Sequence, residues 1–143
     1  MNSKSNSNNP QRKPAIVGPG QGRKYALGQA TAVFIADGDE IDSRFSISEW
    51  TYMPGTGGPG AHAHRGLDHA FYIIEGTLSV FVDGEWLDAP QGSYVVIPGG
   101  THHDFKNRGD VLTRFLNFDV PGGFESALRK FAALVEDVTG QSI

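Results

Sequence analysis

All five histidines of this 143-residue chain fall between His62 and His103, and the chain has no cysteine. Without thiols, disulfides, thiolate zinc sites, iron–sulfur clusters and cysteine nucleophiles are excluded together. Imidazole and carboxylate remain, a donor set that suits iron, nickel, copper or zinc, with manganese also compatible. His62 and His64 stand two residues apart, so on an extended segment both side chains point to the same side. His69 opens the next extended stretch and His103 belongs to a later one, with His102 directed to the opposite face. If those strand faces line one interior, four imidazoles converge on a single ion. The chemistry on offer is that of a mononuclear divalent metal with positions left open for water, substrate or dioxygen.

Other chemistries lack their residues. Pro54-Gly55-Thr56-Gly57-Gly58-Pro59-Gly60 is glycine-rich, but no Lys-Ser/Thr pair or helix follows it, so it is not a phosphate cradle. No Gly-x-Ser-x-Gly elbow appears, and no residue is assigned a catalytic role in acyl transfer. The acidic run Asp37-Gly38-Asp39-Glu40-Ile41-Asp42 has calcium-loop spacing at its start. It lacks the closing bidentate glutamate and the flanking helices, and reads as a solvated turn.

The elements that must position the histidines are short strands. Residues 44–53 alternate, with Phe45, Ile47, Glu49 and Thr51 on one face and Ser46, Ser48, Trp50 and Tyr52 on the other. Further strands are predicted over 31–35, 69–75, 77–82, 93–97, 102–106 and 111–118, divided by turns at Gly76, Asp83-Gly84, Pro98-Gly99-Gly100 and Asn107-Arg108-Gly109-Asp110. Phe124, Ala127, Leu128, Phe131, Leu134, Val135 and Val138 recur at helical spacing and Gly140 is a stop, predicting one amphipathic helix over about 123–139. Many short strands followed by one helix imply an all-β antiparallel sandwich or barrel with a C-terminal α-helix outside it.

Residues 1–24 are rich in Asn, Ser, Gly and Pro and carry five basic residues (Lys4, Arg12, Lys13, Arg23, Lys24) with no acidic one, which reads as a flexible basic tail. Residues 25–143 then hold the other 7 basic residues and all 16 acidic ones, a net −9 that repels phosphate backbones. Nucleic acid is therefore not an expected partner. No apolar run reaches the roughly 18 residues of a membrane helix and the start has no apolar leader, so no membrane contact and a cytoplasmic location are expected.

Two stretches carry a family resemblance. Residues 57–76 resemble the first cupin motif: a glycine-led loop, His62-Ala63-His64, four residues to His69, and six more to Gly76. The leading glycine is offset by one, with Thr56 before Gly57. Gly92, Pro98, Gly100, His103 and Asn107 match the second motif throughout. Pro121-Gly122-Gly123-Phe124-Glu125 before a helix also looks like small single-domain cupins of the quercetin-dioxygenase-like group. The resemblance implies a cupin (jelly-roll-like) antiparallel β-barrel, a divalent transition metal ion (Fe, Ni, Mn, Cu or Zn) and the ligand set His62, His64, His69 and His103. His69 stands where the motif has glutamate, the residue that serves as base in flavonol-cleaving cupins. Four neutral donors leave the ion's charge less compensated, favouring Lewis acidity and anionic ligands.

A metal-dependent dioxygenase acting on a small enolisable or phenolic molecule is the leading expectation, with Fe(II) suited to it. The alternatives are a metal-dependent isomerase or lyase and a non-catalytic binding or sensing barrel. Trp50, Tyr52, Phe71, Ile73 and Phe105 are candidates for a hydrophobic substrate pocket, though core packing explains the same residues. Edge strands and the resemblance imply a homodimer.

Overall fold

Alternating burial runs through the strands that the period-two patterns mark. A computed structural model describes residues 12–130, and strands β1 (Arg23–Leu27), β2 (Ala30–Ala36), β3 (Ser46–Tyr52), β4 (Asp68–Glu75), β5 (Thr77–Val82), β6 (Glu85–Pro90), β7 (Tyr94–Ile97), β8 (His103–Lys106) and β9 (Thr113–Val120) form two antiparallel sheets. The larger has the order β1-β2-β3-β9-β4-β7 and the smaller the order β6-β5-β8. Jelly-roll-like, they remain two sheets and do not close into one continuously hydrogen-bonded barrel. Ser46, Ser48, Trp50 and Tyr52 face inward on β3, the face that alternation separates from Ile47 and Glu49. On β9 the inward row is Thr113, Phe115, Asn117 and Asp119.

The core draws on both sheets: Phe34, Ile73, Ile97 and Phe115 from the larger, Leu78 and Val80 from the smaller. Aromatic edges fill much of it, with Phe115 packed edge-on against Tyr52 at 5.3 Å and Phe71 at 5.5 Å between ring centroids. Such contacts add to the burial of apolar area, the dominant favourable term.

Two expectations change, and a third lies partly outside the described residues. The strand pattern starts at Arg23, inside the segment read as a tail, because the Arg23 guanidinium reaches Glu125 at 2.6 Å and Tyr25 and Leu27 pack against the core. The remainder of that segment up to residue 11 lies outside the described residues. Residues 37–42 are not a solvated turn. Gly38–Ile41 form a 3-10 helix capped by Asp37, which is buried and accepts from the amides of Gly38, Gly123 and Glu125. A run of acids signals solvation only while its backbone partners are unknown, and two of these partners lie more than eighty positions away. Third, the helix is described over residues 124–130, and its predicted continuation to 139 lies outside the described residues. No helix among the described residues is long and apolar enough to cross a membrane.

Candidate metal centre

The glycine loop and two strand ends bring the histidines together. His62 forms an isolated antiparallel bridge with His103, each amide donating to the other's carbonyl at 2.9 and 2.8 Å. Gly58 lets the loop lie against β8, since a Cβ there would stand 2.0 Å from the Phe105 carbonyl oxygen. Asn107 anchors the same region: its side-chain amide donates to the carbonyls of Tyr52 and Val111, and its backbone amide donates to Thr56 O. His64 O accepts from Gly100 N at 2.7 Å, tying the second histidine to the turn before β8. Asp68, next to His69, is exposed and its carboxylate accepts from Gly99 N, so it serves the turn and faces away from the cluster.

The side-chain nitrogens of His62, His64 and His103 lie within 4.8 Å of one another. His69 falls outside that compact set but adjoins it, its ring centroid 4.9 Å from His64 and 5.2 Å from His103. His102 is exposed.

Hydrogen bonds decide which nitrogen each ring offers. Nδ1 of His62 faces Gly60 O at 2.7 Å and Nδ1 of His103 faces Thr101 O at 2.9 Å. A carbonyl only accepts, so both Nδ1 atoms carry the proton and both Nε2 atoms keep a free lone pair. Nδ1 of His69 bonds the carboxylate of Asp119, its direct cross-strand neighbour in the β4–β9 register. The Nε2 atoms of His69 and His103 are buried with no hydrogen-bond partner. Orphaned buried nitrogens are rare in folded proteins, and a metal cation is one species that satisfies a lone pair held this way. Burial, reinforced by the neighbouring histidines, holds the His64 imidazole below its ordinary 6.5. Burial is also the main cause holding His103 below that value, partly opposed by its bond to the Thr101 carbonyl. Neutral imidazole is the form that ligates. The donor set therefore fits a divalent transition metal, with His62, His64 and His103 able to hold it.

Beside the cluster lies a cavity of about 450 Å³. His62, His64 and His69 line it together with Trp50, Tyr52, Phe71, Phe105 and Phe115, and with Phe124 and Leu128 from the helix. Ile73, the other pocket candidate, is fully buried in the core and is not part of that lining. Tyr52 stays a neutral phenol, since burial and the nearby Asp104 both raise its pKa. The Trp50 indole donates to Ser48 Oγ at 2.9 Å, which satisfies it internally.

Asp119 and Asn117 were not among the candidates read from the sequence. Both face inward on β9, where an acid and an amide follow Phe115 at period two, a signal present in the alternation. Asn117 donates from its amide nitrogen to Asp119 Oδ2 at 2.8 Å, and its Oδ1 is a buried acceptor without a partner.

A two-sheet jelly-roll with a histidine cluster able to hold a metal at the wall of an apolar cavity defines a class of β protein. Residues 48–119 match the family described as cupin domain, about half the chain, and the chain belongs to that family. It is 26% identical over 112 residues to the quercetin 2,3-dioxygenase of Bacillus subtilis, covering 78% of this chain and 33% of that relative. The chain thus spans about a third of that relative's length. Among solved structures, KdgF from Halomonas sp. superposes with a TM-score of 0.69 at 15% identity, over 80% of this chain and 99% of that one. A predicted oxalate decarboxylase from Thermotoga maritima gives 0.69 at 16% identity, over 75% and 99% of the two chains. At such identities these likenesses establish the fold alone.

Proposed function

We propose that this cupin is a metal-dependent dioxygenase acting on a small, largely apolar molecule with an enolisable or phenolic oxygen. The observation that carries the reading is the set of histidine Nε2 atoms freed by Nδ1 bonds to fixed acceptors, at the wall of an aromatic cavity. The similarity to a quercetin 2,3-dioxygenase supports the choice of reaction class. In this reading His62, His64 and His103 hold the ion and His69 is a fourth ligand through Nε2. Bound there, a redox-active divalent ion such as iron supplies Lewis acidity and electron exchange with dioxygen.

The protein's own part is positioning and exclusion of water. Phe71, Phe105 and Phe115 offer ring faces and edges to a planar ligand, and Trp50 and Tyr52 bound it from β3. The helix residues Phe124 and Leu128 close one side, so a ligand seated against the histidines leaves bulk water. Among the described residues nothing in the lining is a lysine or arginine, which disfavours phosphorylated substrates.

The test is metal analysis of the full chain purified without affinity metals, followed by oxygen uptake with a panel of diketones and flavonols. A bound redox metal that His103→Ala removes, with oxygen consumed in step with substrate loss, is expected. Equally low metal in wild type and His103→Ala overturns the reading. Turnover without oxygen consumption would assign the ion a purely Lewis-acid role in an isomerase or lyase.

A further inference from the structure

Asp119 is fully buried, and among the described residues its carboxylate has no lysine or arginine partner. Its two oxygens are occupied by His69 Nδ1 and by the Asn117 amide nitrogen. An ionised carboxylate enclosed in this way is strongly unfavourable unless a positive charge compensates it nearby. With Nδ1 of His69 engaged by Asp119, its Nε2 is buried without a partner, on a ring whose centroid lies 4.9 Å from that of His64 and 5.2 Å from that of His103. A cation held at Nε2 would supply the positive charge the carboxylate lacks and use the one ring nitrogen left over.

We infer that Asp119 is the anionic component of this metal centre, set one residue back from the ion. It is a positioning residue that fixes the His69 ring, raises its donor strength and offsets the ion's charge through the imidazole. The inference rests on the metal-centre reading above. It also alters the charge balance implied by four neutral donors. Where the family motif has a carboxylate at the ligand position, this chain has His69 there and a carboxylate immediately behind it on the neighbouring strand. Asn117 completes the arrangement by holding the other carboxylate oxygen, so that Oδ1 is left to face His69.

Transferring the charge between the two positions tests this. The probe is Co(II) alone, with affinity measured by competition against a chromogenic chelator and coordination followed by the visible absorption of the bound ion. Asp119→Asn is expected to weaken Co(II) binding by about 10- to 100-fold, the range seen when a carboxylate behind a ligating histidine is lost. His69→Glu alone sets two buried carboxylates side by side, so one must take up a proton, and binding is again weak. The double variant His69→Glu/Asp119→Asn restores a single carboxylate, now as ligand, and should bind at least tenfold more tightly than either single variant. A purely structural role for Asp119 predicts no such recovery. Asp119→Asn binding Co(II) as tightly as wild type, or a double variant no tighter than the singles, overturns the inference. If Asp119→Asn does not fold, Asp119→Ser and Asp119→Glu replace it: the uncharged Ser variant should bind Co(II) at least tenfold more weakly than the charge-keeping Glu variant, and equal affinity in the two overturns the inference. Wild-type protein that takes up no Co(II) removes the metal-centre reading itself, a failure separate from loss of the Asp119 effect alone.

Discussion

Replacing Asp37 by alanine removes one carboxylate and leaves three backbone amides without their acceptor. The bonds are short: 2.7 Å from Gly38, 2.6 Å from Gly123 and 2.6 Å from Glu125. The Glu125 bond is buried, whereas the other two are partly open to water, which can replace the lost acceptor there. A hydrogen bond to a charged group contributes about 1.5–3 kcal/mol, and loss of a cap about 1 kcal/mol where water can enter. Taking the buried bond near the upper figure and the two wetter ones together near 1 kcal/mol gives a destabilisation of about 3–4 kcal/mol. For a chain of this size that lowers Tm by roughly 10 °C. Urea unfolding followed by tryptophan fluorescence and circular dichroism measures it by linear extrapolation. Asp37→Asn, which keeps one acceptor but not the charge, should fall between wild type and alanine. Because the amides of Gly123 and Glu125 flank Phe124, the alanine variant should also loosen the helix from the cavity and shift Trp50 emission to the red. A loss under about 0.5 kcal/mol is what a solvated acidic turn would give, and it would refute the role of Asp37 as the acceptor that ties residues 38, 123 and 125 together.

Three other outcomes follow from the structure. Phe115→Ala removes the ring shared by the core and the cavity and should destabilise by about 3–5 kcal/mol in urea unfolding, with weaker ligand retention. In the metal-free protein, His64 and His103 resist protonation when folded, so below the ordinary 6.5 the unfolded chain binds more protons than the folded one. Stability should therefore be level above about pH 7 and fall as pH drops through 6.5 and below, and His64→Gln or His103→Gln should flatten that slope in a series of thermal melts. Gly76→Ala combines a positive φ of 73° with a Cβ placed 2.3 Å from the Leu112 carbonyl oxygen, so a loss of at least about 2 kcal/mol is expected by the same urea assay.

Much of the centre could be read from residue types and spacing. The His-x-His pair, the later His103 and the period-two row of β3 depend on local rules, and the structure turns Ser46, Ser48, Trp50 and Tyr52 inward together and gathers His62, His64 and His103. Trp50 and Tyr52 entered the candidate pocket because one face of β3 had to look inward. Asp119 and Asp37 were hidden for a common reason. Each is defined by a partner far along the chain, His69 at fifty positions in one case and Glu125 at eighty-eight in the other. Periodicity says that Asp119 faces inward, but only the β4–β9 register says what it faces. Composition describes a segment and so reads Arg23 and Lys24 as tail, whereas pairing with β2 and the ion pairs of Arg23 with Glu40 and Glu125 bring both residues into a strand.

The reciprocal backbone bridge between His62 and His103 has a kinetic consequence. Two histidines of the cluster, forty-one positions apart, clasp each other through main-chain bonds that need no metal. Closure of that loop is completed by folding, so an arriving ion finds its seat assembled and has only water and imidazole rotamers to rearrange. On the proposed metal-centre reading, ion entry and exit should then run on the timescale of side-chain and loop motion, with the metal-free jelly-roll persisting between occupants. The amide protons of His62 and His103 would report this directly, by exchanging slowly with solvent whether or not the site is filled.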